Sequence, residues 1–491
     1  MLKQTLLLAA LSASLAQAQK LPRVTAQPGG HYLQTERGGS RPKPFFWLGD
    51  TDWELFHRLN RDEVDQLLNI RKEQGFTVLQ VVALAEVDGL TQPNAYGDLP
   101  LLTTSGKPDP TQPALTPGTN PKDPAQYDYW DHVDYVVKRA GQLGLYVAML
   151  PTWGDKVTKG WGAGPVIFTN GNARTYGQFI GKRYANATNV IWMLGGDRPA
   201  TLSADEAARR KREPFDHRPV WRAMAAGIRQ GLREGAGRDV PALLTYHTWG
   251  GRGRTAQEMG DEPWLQMNTM QSGHGGGHDV PVWEWIEADY KKTPPKPTID
   301  LEPNYEDHPV NPWPTWDPKN GYFTAHDVRR QTWRSVLAGG AGVTYGHHFV
   351  WQFFSPKHPP INNGDTLITW QQAARAEAAG QMQFLRRLIE SRPQFERIPD
   401  QALLVSDAGK GGKHIRACRS SRGTWAFVYL PVSQSLRINT GLLTGRRIKA
   451  AWYDPRTGQF TDAGTADKQP TQAFVPPANG PDWVLVLDGE N

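Results

Sequence analysis

Asn189-Val190-Ile191-Trp192-Met193-Leu194-Gly195-Gly196-Asp197 and Pro297-Thr298-Ile299-Asp300-Leu301-Glu302-Pro303-Asn304-Tyr305-Glu306 share one pattern. Each is a short apolar run that stops at a carboxylate, with glycine or proline at its edge, and so reads as a buried strand. Six further strands are expected around them, at 44–49, 76–84, 145–150, 242–246, 264–270 and 342–351. Helical patterns fill the intervals, at 61–74, 130–143, 171–184, 220–234, 327–338 and 371–390. Asn60 is placed to cap the first helix and Gly75 to close it. Strands alternating with helices build βα units and a parallel sheet. Eight of them between residues 22 and 392 predict an α/β fold, a (β/α)8 TIM barrel, with a Pro/Gly/Asn-rich insertion from Asp88 to Pro124. No glycine-rich phosphate loop follows the first strand, which counts against a nucleotide site.

Beyond Pro393 the texture changes. Short alternating segments at 401–405, 424–429, 448–453 and 483–487, with the turn Asp454-Pro455-Arg456-Thr457-Gly458, predict a small all-β sandwich over residues 395–491. The 491 residues are 38% hydrophobic and 21% charged, enough for a sizeable core, and the net charge of +6 comes without a Lys/Arg run. A nucleic-acid partner is therefore not expected. Residues 1–18 carry Lys3, an apolar run from Leu6 to Leu15 and Ala16-Gln17-Ala18, the pattern of a signal peptide cleaved after Ala18. A secreted or periplasmic protein is expected. The run is too short to span a bilayer and no later segment is apolar enough, so no transmembrane segment is expected. Cys418 is the only cysteine and cannot form an internal disulfide.

In such a barrel, residues at the C-terminal strand ends face the active site. Two carboxyl groups there can divide the cleavage of a glycosidic bond, one as acid/base and one as nucleophile. Asp197, after two glycines that let the backbone bend, is the expected acid/base; a turn or N-cap role is its alternative. Glu302 is the expected nucleophile, with Glu306 its rival on the same loop. Asp300 and Glu302 share parity and so one face of their strand. The charge of Glu302 should keep Asp197 protonated, and a retaining enzyme needs the two carboxyls roughly 5–5.5 Å apart.

Substrate contacts are expected from Asp50, Asp52, Trp53, Trp153, His247, Trp249, Gln271, His274, Tyr305, His347, His348 and Trp351, all near strand ends. Among the 19 Trp residues, those in loops offer flat faces to sugar C–H groups. His274 and His278 lie in a glycine-rich loop too loosely spaced to specify a metal, so neither metal nor cofactor is expected. No G-x-S-x-G elbow is present. The expected partner is a polysaccharide or oligosaccharide. Fold alone leaves open a non-catalytic carbohydrate- or matrix-binding protein on the same scaffold, and a glycosidase of different sugar specificity.

The segments FFWLGDTDW (45–53), NVIWMLGGD (189–197), TIDLEPNYE (298–306) and GVTYGHHFVWQF (342–353) resemble bacterial proteins of glycoside hydrolase family 140. That family contains apiosidases acting on side chains of the pectin rhamnogalacturonan II. The C-terminal part, with AWYDPRTG (451–458), resembles the β-sandwich that accompanies these barrels and is often labelled collagen-binding. The resemblance covers nearly the whole mature chain. It implies that Asp197 corresponds to the family's acid/base and Glu302 to its nucleophile.

Overall fold

A computed structural model describes residues 20–36, 40–250, 253–313, 315–361 and 367–491; residues 1–18, where a signal peptide is expected, lie outside the described residues. Six parallel strands form one curled sheet in the spatial order Leu244–His247, Val190–Gly195, Tyr146–Leu150, Val78–Val82, Trp47–Thr51, Gly342–Tyr345. Asn268–Met270 and Thr298–Asp300 pair in parallel as a second arc. Single backbone bonds join the arcs on both sides, Gln266 N–H to the Leu244 carbonyl (3.0 Å) and Ala341 N–H to the Thr298 carbonyl (2.9 Å). The eight strands thus close in chain order as a barrel.

The local chemistry follows the sequence. Asn60 accepts from Glu63 N–H while Glu63 bonds back to Asn60 N–H, a reciprocal cap on helix Arg61–Glu73. Helices Asn170–Arg183 and Arg218–Ala236 flank the fourth strand and touch backbone to backbone through glycines. A Cβ on Gly177 would lie 2.4 Å from the Met224 carbonyl oxygen, and one on Gly227 2.2 Å from that of Arg174. No larger residue fits, so these positions hold the strand that delivers Asp197.

The expected strands at 342–351 and 44–49 need correction. The strand expected at 342–351 stops at Tyr345. Gly346 lies against the Tyr305 ring, where a Cβ would approach to 2.1 Å, and the chain then turns, with Val350 and Trp351 N–H both bonding to the His347 carbonyl. The insertion contains a hairpin, Leu101–Thr104 with Lys107–Pro113. An antiparallel sheet of Arg23–Ala26, Leu33–Glu36 and Lys43–Phe45 precedes the barrel, splitting the strand expected at 44–49.

The C-terminal domain is an antiparallel sheet ordered Arg397–Pro399, Arg416–Ser420, Trp425–Leu430, Trp483–Glu490, Arg447–Tyr453, Phe460–Asp467, with Leu436–Ile438 and Gln472–Phe474 paired separately. The strand expected at 401–405 is instead a 3-10 turn, Gln401–Leu403, begun by Asp400 accepting from Ala402 N–H. One face of the large sheet packs on barrel helix Ala325–Leu337. Trp333 stacks on Tyr429 at 5.7 Å, and Arg329 holds Asp482 through two hydrogen bonds of 2.9 and 3.0 Å.

Candidate active site

The mouth of the barrel opens into a cavity of about 1050 Å³. Asp197 and Glu302 both line it, as do Trp53, Trp153, Trp249, Gln271, His274, Tyr305 and Trp351. His247 stands directly behind, its ring edge-on to Trp53 at 5.3 Å.

Asp197 is presented by a left-handed turn that its two preceding glycines make possible. Gly195 and Gly196 have φ +91° and +120°, and Asp197 itself has φ +43°. A Cβ on Gly195 would meet the His247 carbonyl at 2.2 Å, and one on Gly196 the Trp153 ring at 2.7 Å. The Asp197 Oδ1 accepts from Gly250 N–H (3.2 Å); Oδ2 accepts from Trp161 Nε1 (3.1 Å) and Arg198 Nη1 (3.2 Å). Burial and the charge of Glu302 raise the Asp197 carboxyl above the usual range, against the lowering influence of Arg198, Trp161 and His247.

Glu302 is two residues past Asp300, where its strand ends. Leu301 N–H still bonds to the Met270 carbonyl (3.0 Å), and the Glu302 carbonyl accepts from Gly273 N–H (2.9 Å). Two histidines hold its carboxylate. His274 Nε2 lies 3.4 Å from Oε1 and His247 Nε2 3.2 Å from Oε2. Tyr305 N–H approaches His274 Nδ1 at 3.4 Å, which leaves the ring proton on Nε2, facing Glu302. The His247 contact is at ion-pair distance without hydrogen-bond alignment. Burial alone would raise the Glu302 carboxyl; the two histidines overturn that and hold it at about 2. The Tyr305 hydroxyl, which accepts from Trp53 Nε1 at 3.0 Å, also faces Glu302.

Four expected contacts lie elsewhere. Asp50 is fully buried and paired with Arg71 of helix Arg61–Glu73, between the sheet and the helix layer. Asp52 is fully buried beside it, and burial with the Asp50 charge pushes its carboxyl well up. The strand-end position is right for both, but they turn away from the barrel axis, toward Arg71 on helix Arg61–Glu73. His347 and His348 sit on the turn after the shortened eighth strand. His347 Nε2 is 3.3 Å from Asp307, and the His348 ring stands edge-on to His308 at 4.7 Å. Glu306, the rival carboxylate, accepts from Tyr345 Oη (2.7 Å) and Ala378 N–H (3.0 Å), at the start of helix Glu377–Glu390. Asp300 lies below Glu302, accepting from Ser272 Oγ (2.5 Å) and N–H (3.2 Å).

Sequence reasoning missed Glu86, Trp161, Arg198 and Trp313, all at or beside the cavity. Arg198 bonds Glu86 on one side and Asp197 on the other, and burial raises the Glu86 carboxyl to about 7 despite that partner. About a quarter of the Glu86 side chain is exposed, to the cavity. Adjacency to Asp197 was the available signal for Arg198. Among the described residues, no group of three or more His, Cys, Asp or Glu side chains is arranged to hold a metal ion.

Comparison with known proteins accords with this geometry. A family model described as the apiosidase-like catalytic domain matches residues 27–396. A second, whose description assigns collagen binding to a domain of a collagenase, matches residues 398–488. A solved structure of a glycoside hydrolase family 5 protein from Bacteroides vulgatus is 32% identical, over 95% of this chain and 93% of that one, with a TM-score of 0.78. Another, described as a glycoside hydrolase, is 29% identical over 95% of this chain and 97% of that one, also at 0.78. No curated protein matches.

Proposed function

The chain belongs to the apiosidase-like family of glycoside hydrolases, and from that premise we propose that it is a secreted retaining glycosidase acting on plant cell-wall side chains, with apiosidic linkages of rhamnogalacturonan II as its substrate class. Glu302 attacks the anomeric carbon while Asp197 gives its proton to the departing glycosidic oxygen. Asp197, now ionised, takes a proton from water, which attacks the same carbon and releases Glu302. Each carboxyl returns to its starting state, and no cofactor enters.

The observation that carries this reading is the divergence of the two carboxyls within one cavity. Glu302 is held ionised at about 2 by His247 and His274, while Asp197 is pushed up by burial and by Glu302 itself. A nucleophile must be ionised and an acid protonated at the same pH, and opposite shifts provide that. The ring of tryptophans at the mouth suits a sugar's apolar faces. The substrate class rests on the family and on the resemblance of segments 45–53, 189–197, 298–306 and 342–353 to family 140.

The test is sugar release from a panel of plant polysaccharides that includes rhamnogalacturonan II side chains, with Glu302→Gln beside wild type. Apiose released by wild type alone supports both mechanism and substrate. A different sugar released by wild type alone keeps the mechanism and removes the substrate. Equal release by both proteins removes Glu302 as nucleophile. Glycan bound by both proteins and hydrolysed by neither favours a binding role.

A further inference from the structure

Trp161 lies between Gly160 and Gly162 and is 49% exposed. An exposed indole ordinarily bonds to water, but here Nε1 donates to Asp197 Oδ2 at 3.1 Å. The placement is enforced from three further directions. The ring lies over the Arg198 guanidinium, 4.2 Å from centroid to Cζ. The Trp161 carbonyl accepts from Arg198 Nε (2.9 Å) and Nη2 (2.6 Å). Gly162, at φ +95°, sits so close to the charged cluster that a Cβ would be 2.6 Å from Arg198 Nη2 and 3.0 Å from Asp155 Oδ2. The loop is built onto Arg198, and Arg198 follows the catalytic aspartate directly in the chain.

A carboxyl group offers two lone-pair sites on each oxygen. Among the described residues, Oδ2 of Asp197 has both filled, by Trp161 Nε1 and Arg198 Nη1, whereas Oδ1 has one filled, by Gly250 N–H. The remaining site is on Oδ1. We propose that Trp161 is a positioning residue for Asp197: with Arg198 it saturates Oδ2, so that the proton delivered to the leaving oxygen, and later taken from water, resides on Oδ1. The inference rests on the acid/base reading of Asp197. The titratable and charged groups around Asp197 are Glu302, His247, whose Nδ1 faces Asp197 N–H at 3.4 Å, and Arg198 beside it, with Glu86 and Asp155 on the far side of Arg198. The indole donor opposes the first of these and favours the ionised form, which Asp197 must reach between the two chemical steps.

The experiment uses the full chain with 15N-indole tryptophan and 13Cγ aspartate, with Trp161→Phe and Asp197→Asn assigning the two signals by their loss. Phenylalanine keeps an aromatic ring near Arg198 while removing the N–H donor. The expected result is a Trp161 indole signal that shifts with the same midpoint as the Asp197 carboxyl, and that stops shifting in Asp197→Asn. In Trp161→Phe the Asp197 midpoint moves up by about one pH unit, the loss of one hydrogen bond to the ionised form. On a glycan that wild type hydrolyses, the alkaline limb of kcat/KM moves up with it. An indole signal indifferent to the Asp197 titration, or an unmoved midpoint in Trp161→Phe, overturns the proposal. A rate lowered equally at every pH with the limb fixed does so too, since lost loop packing alone would produce it. The acid/base reading fails separately, by full turnover in Asp197→Asn.

Discussion

Asp482→Asn tests whether the C-terminal sandwich is an integral part of the barrel. Asp482 is fully buried and accepts from Arg329 Nε (2.9 Å), Arg329 Nη2 (3.0 Å) and Tyr429 Oη (3.0 Å). Arg329 is 2% exposed, and its other close partner is the Gln381 oxygen at 2.6 Å; Glu377 is 3.8 Å away on the surface. Removing the anion leaves a buried guanidinium with only neutral close acceptors, the Gln381 oxygen and the new amide oxygen, and breaking a buried pair in this way costs about 3–5 kcal/mol. That is a fifth or more of the stability of an ordinary domain. The effect should reach the catalytic site, because the same helix carries Gln331, whose side chain accepts from Asn304 N–H at 3.1 Å and bonds Ser272 Oγ. In urea, with unfolding followed by tryptophan fluorescence and by turnover, the midpoint should fall by about 1 M for a slope of about 3 kcal/mol/M or more. Fluorescence and activity should fall together. Replacing both partners, Arg329→Leu with Asp482→Leu, should recover part of the loss, since no charge is then stranded. A single-variant midpoint within about 0.3 M of wild type, or turnover that persists after the sandwich has unfolded, would refute the reasoning.

Further outcomes follow from the site. Gly196→Ala puts a Cβ 2.7 Å from the Trp153 ring at φ +120°; a displaced Asp197 should cost about 10²-fold in kcat, and unchanged steady-state kinetics would contradict it. Glu86→Gln removes the carboxylate on the far side of Arg198 and leaves Asp197 as its one ion-pair partner among the described residues. The Asp197 carboxyl should then ionise at lower pH, moving the alkaline limb of kcat/KM down by about one unit; a limb that rises refutes the arrangement. Asp300 is raised to about 7, by burial first and by Glu302, against its Ser272 bonds. The folded state therefore holds a proton that the unfolded chain releases near pH 4, and stability falls as pH rises from there through 7. Asp300→Asn should flatten that slope by at most about 4 kcal/mol, read from denaturation midpoints at pH 4.5 and 8.

The parts of the fold legible in the sequence were those with local causes. Apolar runs ending at Asp197 and at Glu302 mark strand ends because a buried strand must stop where charge begins, and the Asn60 cap and Gly75 stop are encoded within a few residues. Parity placed Asp300 and Glu302 on one side of their strand, but depth was invisible: one is packed on Ser272, the other faces the cavity. Asp50 and Asp52 showed the same blindness to direction, because a strand end alone does not say whether a carboxylate meets Arg71 or a substrate. The eighth strand was read too long because apolar residues resume past Gly346 at Phe349-Val350-Trp351, whereas the Tyr305 ring and Thr51 packed against that glycine are tertiary facts. Glu86, Trp161 and Arg198 come from separate loops that carry no periodic signal; their common feature is one guanidinium, a tertiary fact.

The central claim is the division of labour between Asp197 and Glu302. Its most direct test is azide rescue of Asp197→Ala on an aryl glycoside of whichever sugar wild type releases, with the product's anomeric configuration read by NMR. The account predicts a glycosyl azide formed with Asp197→Ala that has the configuration opposite to the glycosyl–Glu302 intermediate, hence the same as the substrate, and no product with Glu302→Gln. An azide of inverted configuration, or its formation by the Glu302 variant in place of the Asp197 one, would contradict it.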